Sequence, residues 1–158
     1  MTLPTGEVLN TVVAGDGTWS VTSTQALPEG SANVSVTATD PAGNTSPATT
    51  VPVTIDTTPP AAPAADVAAA SDTGSSNTDN LTSDTTPSFA VSAPPAGGNV
   101  VLYVDGLAVP ATYANGEVTP LDPLPAGAHT ITYALVDIAG NASAASPSLA
   151  ITIDATAT

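Results

Sequence analysis

An internal repeat limits what this chain can fold into, because a structure that suits one copy has to suit the other. Leu27-Pro28-Glu29-Gly30 recurs as Leu124-Pro125-Ala126-Gly127, and Asp40-Pro41-Ala42-Gly43-Asn44 recurs as Asp137-Ile138-Ala139-Gly140-Asn141. The copies are offset by about 97 residues, and the offset slips by one near Pro47. The 158 residues therefore correspond to one complete module and part of another.

Short apolar segments separated by turn residues predict β structure in both copies. The 16 Pro and 12 Gly are spread along the chain, and no stretch has a helical period of useful length. The Ala-rich stretch 61–70 is interrupted by Pro63, so we predict a strand there rather than a helix. The predicted fold class is therefore an all-β sandwich. For the second copy, the predicted strands are 64–70, 86–92, 99–105, 108–113, 116–121, 128–137 and 147–154.

Residues 56–60 are predicted to form a stiff joint between two modules. The preceding segment, 51–55, alternates apolar and polar residues as a strand does. Pro59 and Pro60 each fix φ and lack an N–H, so a sheet ladder cannot continue through them. The predicted domains are 1–56 as the C-terminal part of a first module that lacks its first strands, 57–154 as a complete module, and 155–158 as the start of the next linker.

The charge balance excludes several classes of function, since the chain has no Lys or Arg and 14 Asp or Glu residues. Without basic side chains it has no Arg or Lys clamp on phosphate, so we expect no nucleic acid partner and repulsion by anionic membranes. No apolar run reaches the length of a membrane span, so we expect no membrane insertion. Met1-Thr2-Leu3-Pro4 is not a signal peptide, and we expect any secretion signal to lie outside this chain.

Catalytic chemistry also finds no support in the sequence. Cys is absent, which excludes disulfides and thiolate chemistry. No Gly-rich phosphate loop, nucleophile elbow or triad-like arrangement is present. We therefore predict that the chain is not an enzyme and has no catalytic residues.

Several motifs together resemble the bacterial Ig-like tandem repeats of giant secreted adhesins of the RTX and biofilm type. They are Asp56-Thr57-Thr58-Pro59-Pro60, Asp16-Gly17-Thr18-Trp19-Ser20, the two Leu-Pro-x-Gly and Asp-x-Ala-Gly-Asn pairs, and the loop from Asp72 to Pro87. This resemblance covers nearly the whole chain. It implies an immunoglobulin-like Greek-key β-sandwich in tandem modules, Ca²⁺ at the joints, neighbouring modules of the same chain as partners, and an extracellular location on the bacterial cell surface.

Eight side chains are candidate Ca²⁺ ligands, because six to eight oxygens from Asp, Asn and backbone carbonyls are what this ion prefers. Strands of a sandwich alternate in direction, which predicts two groups of ligands. Asp72, Asp79, Asp84, Asp105 and Asp154 are expected at one pole, and Asp137 and Asn141 are expected to meet Asp56 at the other. Asp and Asn also form turns through their own backbone, so an ordinary turn is the alternative at each position, including a tight turn at Asp105-Gly106.

Two further residues have a functional and a structural interpretation. His129 is the only histidine and has no neighbouring Ser, Cys or Asp in a triad-like pattern, so we predict an exposed strand residue rather than a catalytic base. Trp19 alternates with apolar positions, so we predict a core anchor rather than a platform for sugars.

The sequence thus predicts a structural extender module of a bacterial surface adhesin, made rigid by Ca²⁺ at its poles and linkers. Two alternatives stay open. One is an Ig-like module that binds a carbohydrate or a protein through its loops, and the other is an accessory non-catalytic domain of a secreted hydrolase. Open strand edges in residues 1–56 also allow a strand-swapped homo-oligomer.

Overall fold

The computed structural model describes residues 1–68 and 70–156 and divides the chain into two compact units, Met1–Thr57 and Thr58–Thr158. We call them unit 1 and unit 2 and describe each by itself. Within the described residues all regular secondary structure is β. No helix that is long and apolar enough to cross a membrane occurs among these residues.

Unit 1 is built on two antiparallel strands, β1 (Gly30–Val36) and β2 (Thr49–Ile55), which pair along their whole length. On the other edge of β1, Thr2 forms a β-bridge with Ser35. Leu3 is buried beside this bridge, with 6% of its surface exposed. Most other residues of unit 1 are exposed or half-buried, so its core is small.

Unit 2 is a two-layer β-sandwich. Its strands are β3 (Ala65–Val67), β4 (Leu81–Thr82), β5 (Phe89–Val91), β6 (Asn99–Val104), β7 (Leu107–Val109), β8 (Ala111–Ala114), β9 (Glu117–Pro120), β10 (Gly127–Val136) and β11 (Leu149–Ile153). One sheet has the order β3-β5-β9-β8, and the other has the order β4-β11-β10-β6-β7. This is the strand order of an immunoglobulin-like sandwich, so the predicted fold class is confirmed.

Alternating side chains of the two sheets fill the space between them. Ile131 and Tyr133 on β10 and Leu102 on β6 are 0% exposed. They belong to one apolar cluster with Phe89 and Val118 of the other sheet, which are 0% and 1% exposed. The alternation follows from the period of two in a strand, and this burial supplies most of the favourable free energy of folding.

Three predicted segments of unit 2 differ from the observed strands. The segment 108–113 is not one strand, because β7 pairs with β6 and β8 pairs with β9. Pro110 separates β7 from β8, and since proline has no N–H to donate, the chain changes sheets there. The stretch 61–70 contains only the short β3, and Ala69 lies outside the described residues. The loop after β3, predicted to contain no strand, contains β4, which pairs in parallel with β11.

The repeated motifs occupy equivalent positions in the two units. Each Leu-Pro-x-Gly motif ends at the first residue of a strand, and Gly30 lies opposite Ile55 as Gly127 lies opposite Ile153. Both glycines have a positive φ, of 99° and 133°. Glycine adopts this region without steric cost, which explains why the motif ends in glycine in both copies.

Trp19 does not anchor a core, so that prediction is wrong. Residues 15–23 form no strand, and the Trp19 side chain is 45% exposed. With Leu9, Val12 and Val36 it lines an open cleft of about 530 Å³. Alternating positions face a core only where the backbone is held in a sheet, and this segment is not.

Gly98 lies where the loop before β6 touches the end of β10. A Cβ atom at this position would lie 2.2 Å from the carbonyl oxygen of Val136 and 3.2 Å from the Cα atom of Asp137. Both are backbone atoms, so a Gly98→Ala side chain can fit only if the strand end shifts. We expect this substitution to destabilise unit 2 by roughly 1–3 kcal/mol.

Urea unfolding followed by the near-UV circular dichroism of tyrosine would test this expectation, because all three tyrosines lie in unit 2. Gly15→Ala is the control, since a Cβ atom there meets nothing within 4 Å. If the unfolding curve of Gly98→Ala superimposes on that of the parent chain, the close approach is not a constraint on this fold.

Candidate metal centre

The segment 70–84, which we call the Asp72 loop, connects β3 to β5 and is held together by hydroxyl groups. The Thr82 hydroxyl donates to the carbonyl oxygen of Ser71, and the Ser83 N–H donates to Thr73 Oγ1 at 2.9 Å. The Ser88 N–H donates to Ser71 Oγ at 2.9 Å, which ties the loop to the start of β5. Ser and Thr side chains bond readily to nearby backbone groups, so this polar sequence forms an ordered loop.

Asp72 is the buried carboxylate of this loop, with 5% of its surface exposed. Its Oδ2 atom accepts a bond from the Asn80 N–H at 3.3 Å, where Asn80 has a φ of 58°. Its Oδ1 atom is buried and has no hydrogen-bond partner among the residues that the structure describes. Burying a carboxylate oxygen without a partner is unfavourable, and a bound cation would remove that cost.

Asp79 and Asp84 each form a local turn within the Asp72 loop. Asp79 Oδ1 accepts from the Leu81 N–H at 3.2 Å, and Asp84 Oδ1 accepts from the Thr86 N–H at 2.9 Å. Such bonds to the residue two positions ahead are typical turn geometry for Asp. These two side chains therefore have a structural role, and their predicted role as metal ligands stays a prediction.

Asp154 follows β11 and lies beside the same loop. Its N–H donates to the carbonyl oxygen of Thr82 at 2.8 Å, and together with Gly74 it lines a shallow cleft of about 160 Å³. The hydroxyl of Thr156 bonds to Asp154 Oδ1 at 2.6 Å and lowers the pKa of this carboxyl group. The structure thus brings Asp154 to the Asp72 loop, as the order of the strands predicts.

Asp105 is engaged with His129, which sequence reasoning missed. The His129 side chain is only 9% exposed, so the prediction of an exposed residue is wrong. Its Nδ1 atom lies 2.8 Å from Asp105 Oδ2, and its Nε2 atom lies 2.9 Å from the carbonyl oxygen of Pro125. Both neighbours are acceptors, so the protonated imidazole, in which both ring nitrogens donate, matches these two contacts. The Thr130 N–H donates to the other oxygen of Asp105 at 2.8 Å.

The tight turn at Asp105-Gly106 is also present. Asp105 and Gly106 have φ values of 52° and 81° and connect β6 to β7 as a two-residue hairpin. The pairing of β6 with β10 is the feature from which this ion pair could have been predicted. Asp105 directly follows β6 and therefore lies beside the first residues of β10, which include His129. That pairing could be predicted, but the direction of the imidazole ring could not.

Asp137 and Asn141 close a turn at the other end of β10. The Asn141 N–H and side-chain amide donate to the two oxygens of Asp137, each at 2.9 Å, and the amide lowers the pKa of Asp137. Asp40 and Asn44 form the same two bonds in unit 1, also at 2.9 Å. The repeated motif therefore forms the same Asp–Asn turn in both units, and the predicted role of Asp137 and Asn141 in metal binding stays a prediction.

Asp56 is exposed at the end of β2 in unit 1. The next residue, Thr57, donates from its N–H and its hydroxyl to Glu29 Oε2, at 3.0 and 2.6 Å. Glu29 belongs to the Leu-Pro-x-Gly motif, whose second copy has Ala126 at this position. The hydrogen bonds from Thr57 to Glu29 therefore have no counterpart at Ala126 in unit 2.

The predicted ligands do not form one compact cluster. Among residues 1–68 and 70–156, no three His, Cys, Asp or Glu side chains are grouped so that they could hold a metal ion. Asp72, Asp79, Asp84 and Asp154 share one region of unit 2, and Asp105 is paired with His129 at the same end. Any metal bound there would need backbone carbonyls, hydroxyls or water as further ligands.

The sandwich and its turns define unit 2 as an immunoglobulin-like module without recognisable catalytic groups among its described residues. A family model described as Bacterial Ig-like domain matches residues 1–57 and 59–155, which includes nearly all of both units. The chain belongs to this family. Domains of this kind are in general non-catalytic surface or extender modules. No curated protein matches the chain.

The His129–Asp105 pair predicts how the stability of unit 2 depends on pH. Asp105, and then the Pro125 carbonyl, raises the pKa of His129 above its usual 6.5. A group with a raised pKa stabilises the folded state fully below its unfolded pKa, and this contribution is lost as pH rises through the folded pKa. We therefore expect unit 2 to lose stability as pH rises above about 6.5.

Thermal melting followed by tyrosine circular dichroism would isolate this effect. All three tyrosines lie in unit 2, so their signal follows the unfolding of that unit. We expect His129→Gln to remove the decline in the melting temperature of unit 2 between about pH 6 and 9. A decline of the same size in the variant would show that the imidazole is not the titrating group.

Proposed function

We propose that this chain is a structural extender module of a bacterial surface adhesin, located outside the cell and made rigid by Ca²⁺. The observation that carries the proposal is the repetition of structure. Both units have the same strand pairing after Leu-Pro-x-Gly and the same Asp–Asn turn. Residues 56–60, which include Pro59 and Pro60, span the boundary between the units. Repeated modules joined by short proline-containing linkers suit a spacer.

The charge of the chain gives Ca²⁺ a physical role in this function. A formal net charge of −14 makes acidic modules repel one another, and no Lys or Arg can neutralise it. The single imidazole is already paired with Asp105. Divalent cations would screen this repulsion and, when bound at specific oxygens, hold loops and linkers in one conformation.

The surroundings of Asp72 fit a Ca²⁺ ion in their donor chemistry. Within the described part of the chain Asp72 Oδ1 is buried and lacks a donor, and the loop supplies further hydroxyl and carboxylate oxygens. Asp72 would hold the ion together with backbone carbonyl, hydroxyl and water oxygens, because no three acidic side chains of the described residues are grouped around it. Asp79, Asp84 and Asp154, the other predicted ligands of this region, would add negative charge nearby. The ion would neutralise the Asp72 carboxylate and give its Oδ1 atom a partner.

Calcium should raise the melting temperature of unit 2. Extracellular Ca²⁺ modules bind with dissociation constants of about 10⁻⁴ to 10⁻³ M. With a dissociation constant of about 1 mM, about 10 mM Ca²⁺ adds roughly 1.4 kcal/mol. For a domain of this size that is a rise of roughly 5–10 °C, measured by tyrosine circular dichroism against a sample with chelator.

Asp72→Asn tests where the ion binds, since it removes one carboxylate oxygen and leaves the size of the side chain nearly unchanged. We expect it to lose most of the calcium-dependent rise. Asp122→Asn, which removes an exposed acid outside the predicted ligands, should keep the rise. Equal rises in the two variants, or no rise in the parent chain, would reject calcium binding by the Asp72 loop.

The linker ligands Asp56, Asp137 and Asn141 are part of the same proposal and need a separate measurement. Small-angle scattering with Ca²⁺ and with chelator reports the dimensions of the particle. We expect Ca²⁺ to lengthen the parent particle and to leave Asp56→Asn and Asp137→Asn unchanged. If both variants respond as the parent does, calcium does not act through these residues.

A further inference from the structure

Unit 2 exposes two leucines beside β7. Leu107, the first residue of this three-residue strand, is 74% exposed, and Leu121, which follows β9 by one residue, is 59% exposed. The Leu121 N–H donates to the carbonyl oxygen of Pro110, the residue after β7, at 2.9 Å. Both leucines therefore lie along the same short strand, which we call the β7 edge together with Leu121.

The backbone of β7 is open on the side away from β6. In the described part of unit 2, β7 is the last strand of its sheet. Asp105 and Gly106 connect it to β6 as a two-residue hairpin, and Ala108 lies opposite Tyr103. Pairs in such a ladder alternate between those that exchange backbone bonds and those that do not, and the pair next to the turn exchanges them. Ala108 therefore directs its N–H and its carbonyl oxygen outward, where a further strand can bond to them.

Unit 1 has a charged residue at the equivalent place. Val8 forms a bridge with Thr2 just after a turn, as Ala108 pairs with β6 just after its hairpin. The residue before Val8 is Glu7, which is therefore the counterpart of Leu107. A charged side chain on an edge strand discourages pairing with another chain, so this edge of unit 1 is protected and that of unit 2 is not.

The second leucine also replaces a polar residue of unit 1. Thr24 is the counterpart of Leu121 by the offset of the repeat. The N–H and the hydroxyl of Thr24 both donate to Glu7 Oε1, the N–H at 3.2 Å, and the Ser23 hydroxyl donates to Glu7 Oε2 at 2.7 Å. The two positions are thus within reach of each other. Where unit 1 has this hydrogen-bonded polar pair, unit 2 has two exposed leucines, and exposed apolar side chains that lie together mark an interaction site.

The charges beside the leucines indicate the chemistry of the partner. Asp105 lies two residues before Leu107, and its side chain is 51% exposed. Asp122 directly follows Leu121 and is also exposed. The chain has no Lys or Arg, so a second copy would bring only further carboxylates to this edge and would be repelled. The edge is complementary to a segment with apolar and basic side chains, which has to belong to a different protein.

We propose that the β7 edge binds an extended segment of another protein in which apolar residues alternate with Lys or Arg. The segment would add a strand beside Ala108 through backbone hydrogen bonds. Its apolar side chains would cover Leu107 and Leu121, and its basic side chains would neutralise part of the charge of Asp105 and Asp122. This inference goes beyond the proposed extender function and requires no Ca²⁺.

The synthetic peptide Lys-Val-Lys-Val-Lys-Val-Lys, titrated into the full chain, tests the proposal. Backbone amide NMR signals report where it binds, and we expect saturable shifts at Ala108 and its neighbours. The titration is done with chelator and at about 0.15 M salt, so its result does not depend on Ca²⁺ or on unscreened charge. The same peptide with Glu at every Lys position should cause no shift, because the acidic edge repels it. Failure here would leave the proposed extender function untouched, and failure of calcium binding would leave this inference untouched.

Matched changes separate strand addition from general attraction to an acidic chain. A peptide with Pro in place of its central Val keeps its charge but loses an N–H, so it should bind at least about fivefold more weakly. Leu107→Gln keeps the charge of the chain and should also weaken binding at least about fivefold, because an apolar contact is lost. Leu121→Thr, which introduces the residue of unit 1, should change binding in the same direction. Ile138→Gln is the control, since Ile138 is 79% exposed in the turn after β10, and it should bind as the parent chain does.

Three results would overturn the proposal. The first is the absence of a saturable shift at β7. The second is equal binding by the parent and proline peptides, or by Leu107→Gln and Ile138→Gln, which would show that the peptide responds only to the net charge. The third is a set of β7 shifts that appear in the chain alone as its concentration rises, together with a doubled mass in sedimentation, because a second copy would then cover this edge.

Discussion

Each carboxylate of this chain has to find its partners without Lys or Arg, and much of the polar structure depends on that constraint. Asp137 and Asp40 are satisfied by the Asn at the end of the same turn. Glu29 is satisfied by the N–H and hydroxyl of Thr57. A chain with basic residues could satisfy such groups over long distances, but here the donors lie mostly in the backbone and in hydroxyl groups. This explains why Thr and Ser surround the acids.

Asp105 and Asp72 differ from these acids in the partners of their carboxylate groups. Asp105 has the one imidazole as a partner and raises the pKa of that imidazole. Among the described residues, Asp72 has a single backbone donor for one oxygen and none for the other. Buried polar atoms are nearly always paired in folded proteins, so the Oδ1 atom of Asp72 is the position where the proposed Ca²⁺ would act.

The features that could be predicted are those that depend on local pattern and repetition. Alternation identified the inward positions of β10, and the repeat identified equivalent strand starts at Gly30 and Gly127. The features that were missed depend on contacts between distant segments. β4 is a strand only because β11 lies beside it, and Trp19 lies outside a core because its segment has no paired neighbour. The candidate site shows the same contrast. The direction of the strands predicts that Asp154 lies near the Asp72 loop, but the sequence does not predict which group donates to each carboxylate oxygen.

The parallel contact between β4 and β11 has a mechanical consequence. β11 is the last strand of unit 2, so tension on the chain after Asp154 acts along its length. Its bonds to β4, such as that from the Asp154 N–H to the Thr82 carbonyl oxygen, and its ladder with β10 both lie across that direction. Tension along β11 therefore loads its hydrogen bonds to β4 and to β10 at the same time, rather than breaking the bonds of one ladder one after another. β11, the strand nearest the end of unit 2, thus resists extension through hydrogen bonds on both of its edges.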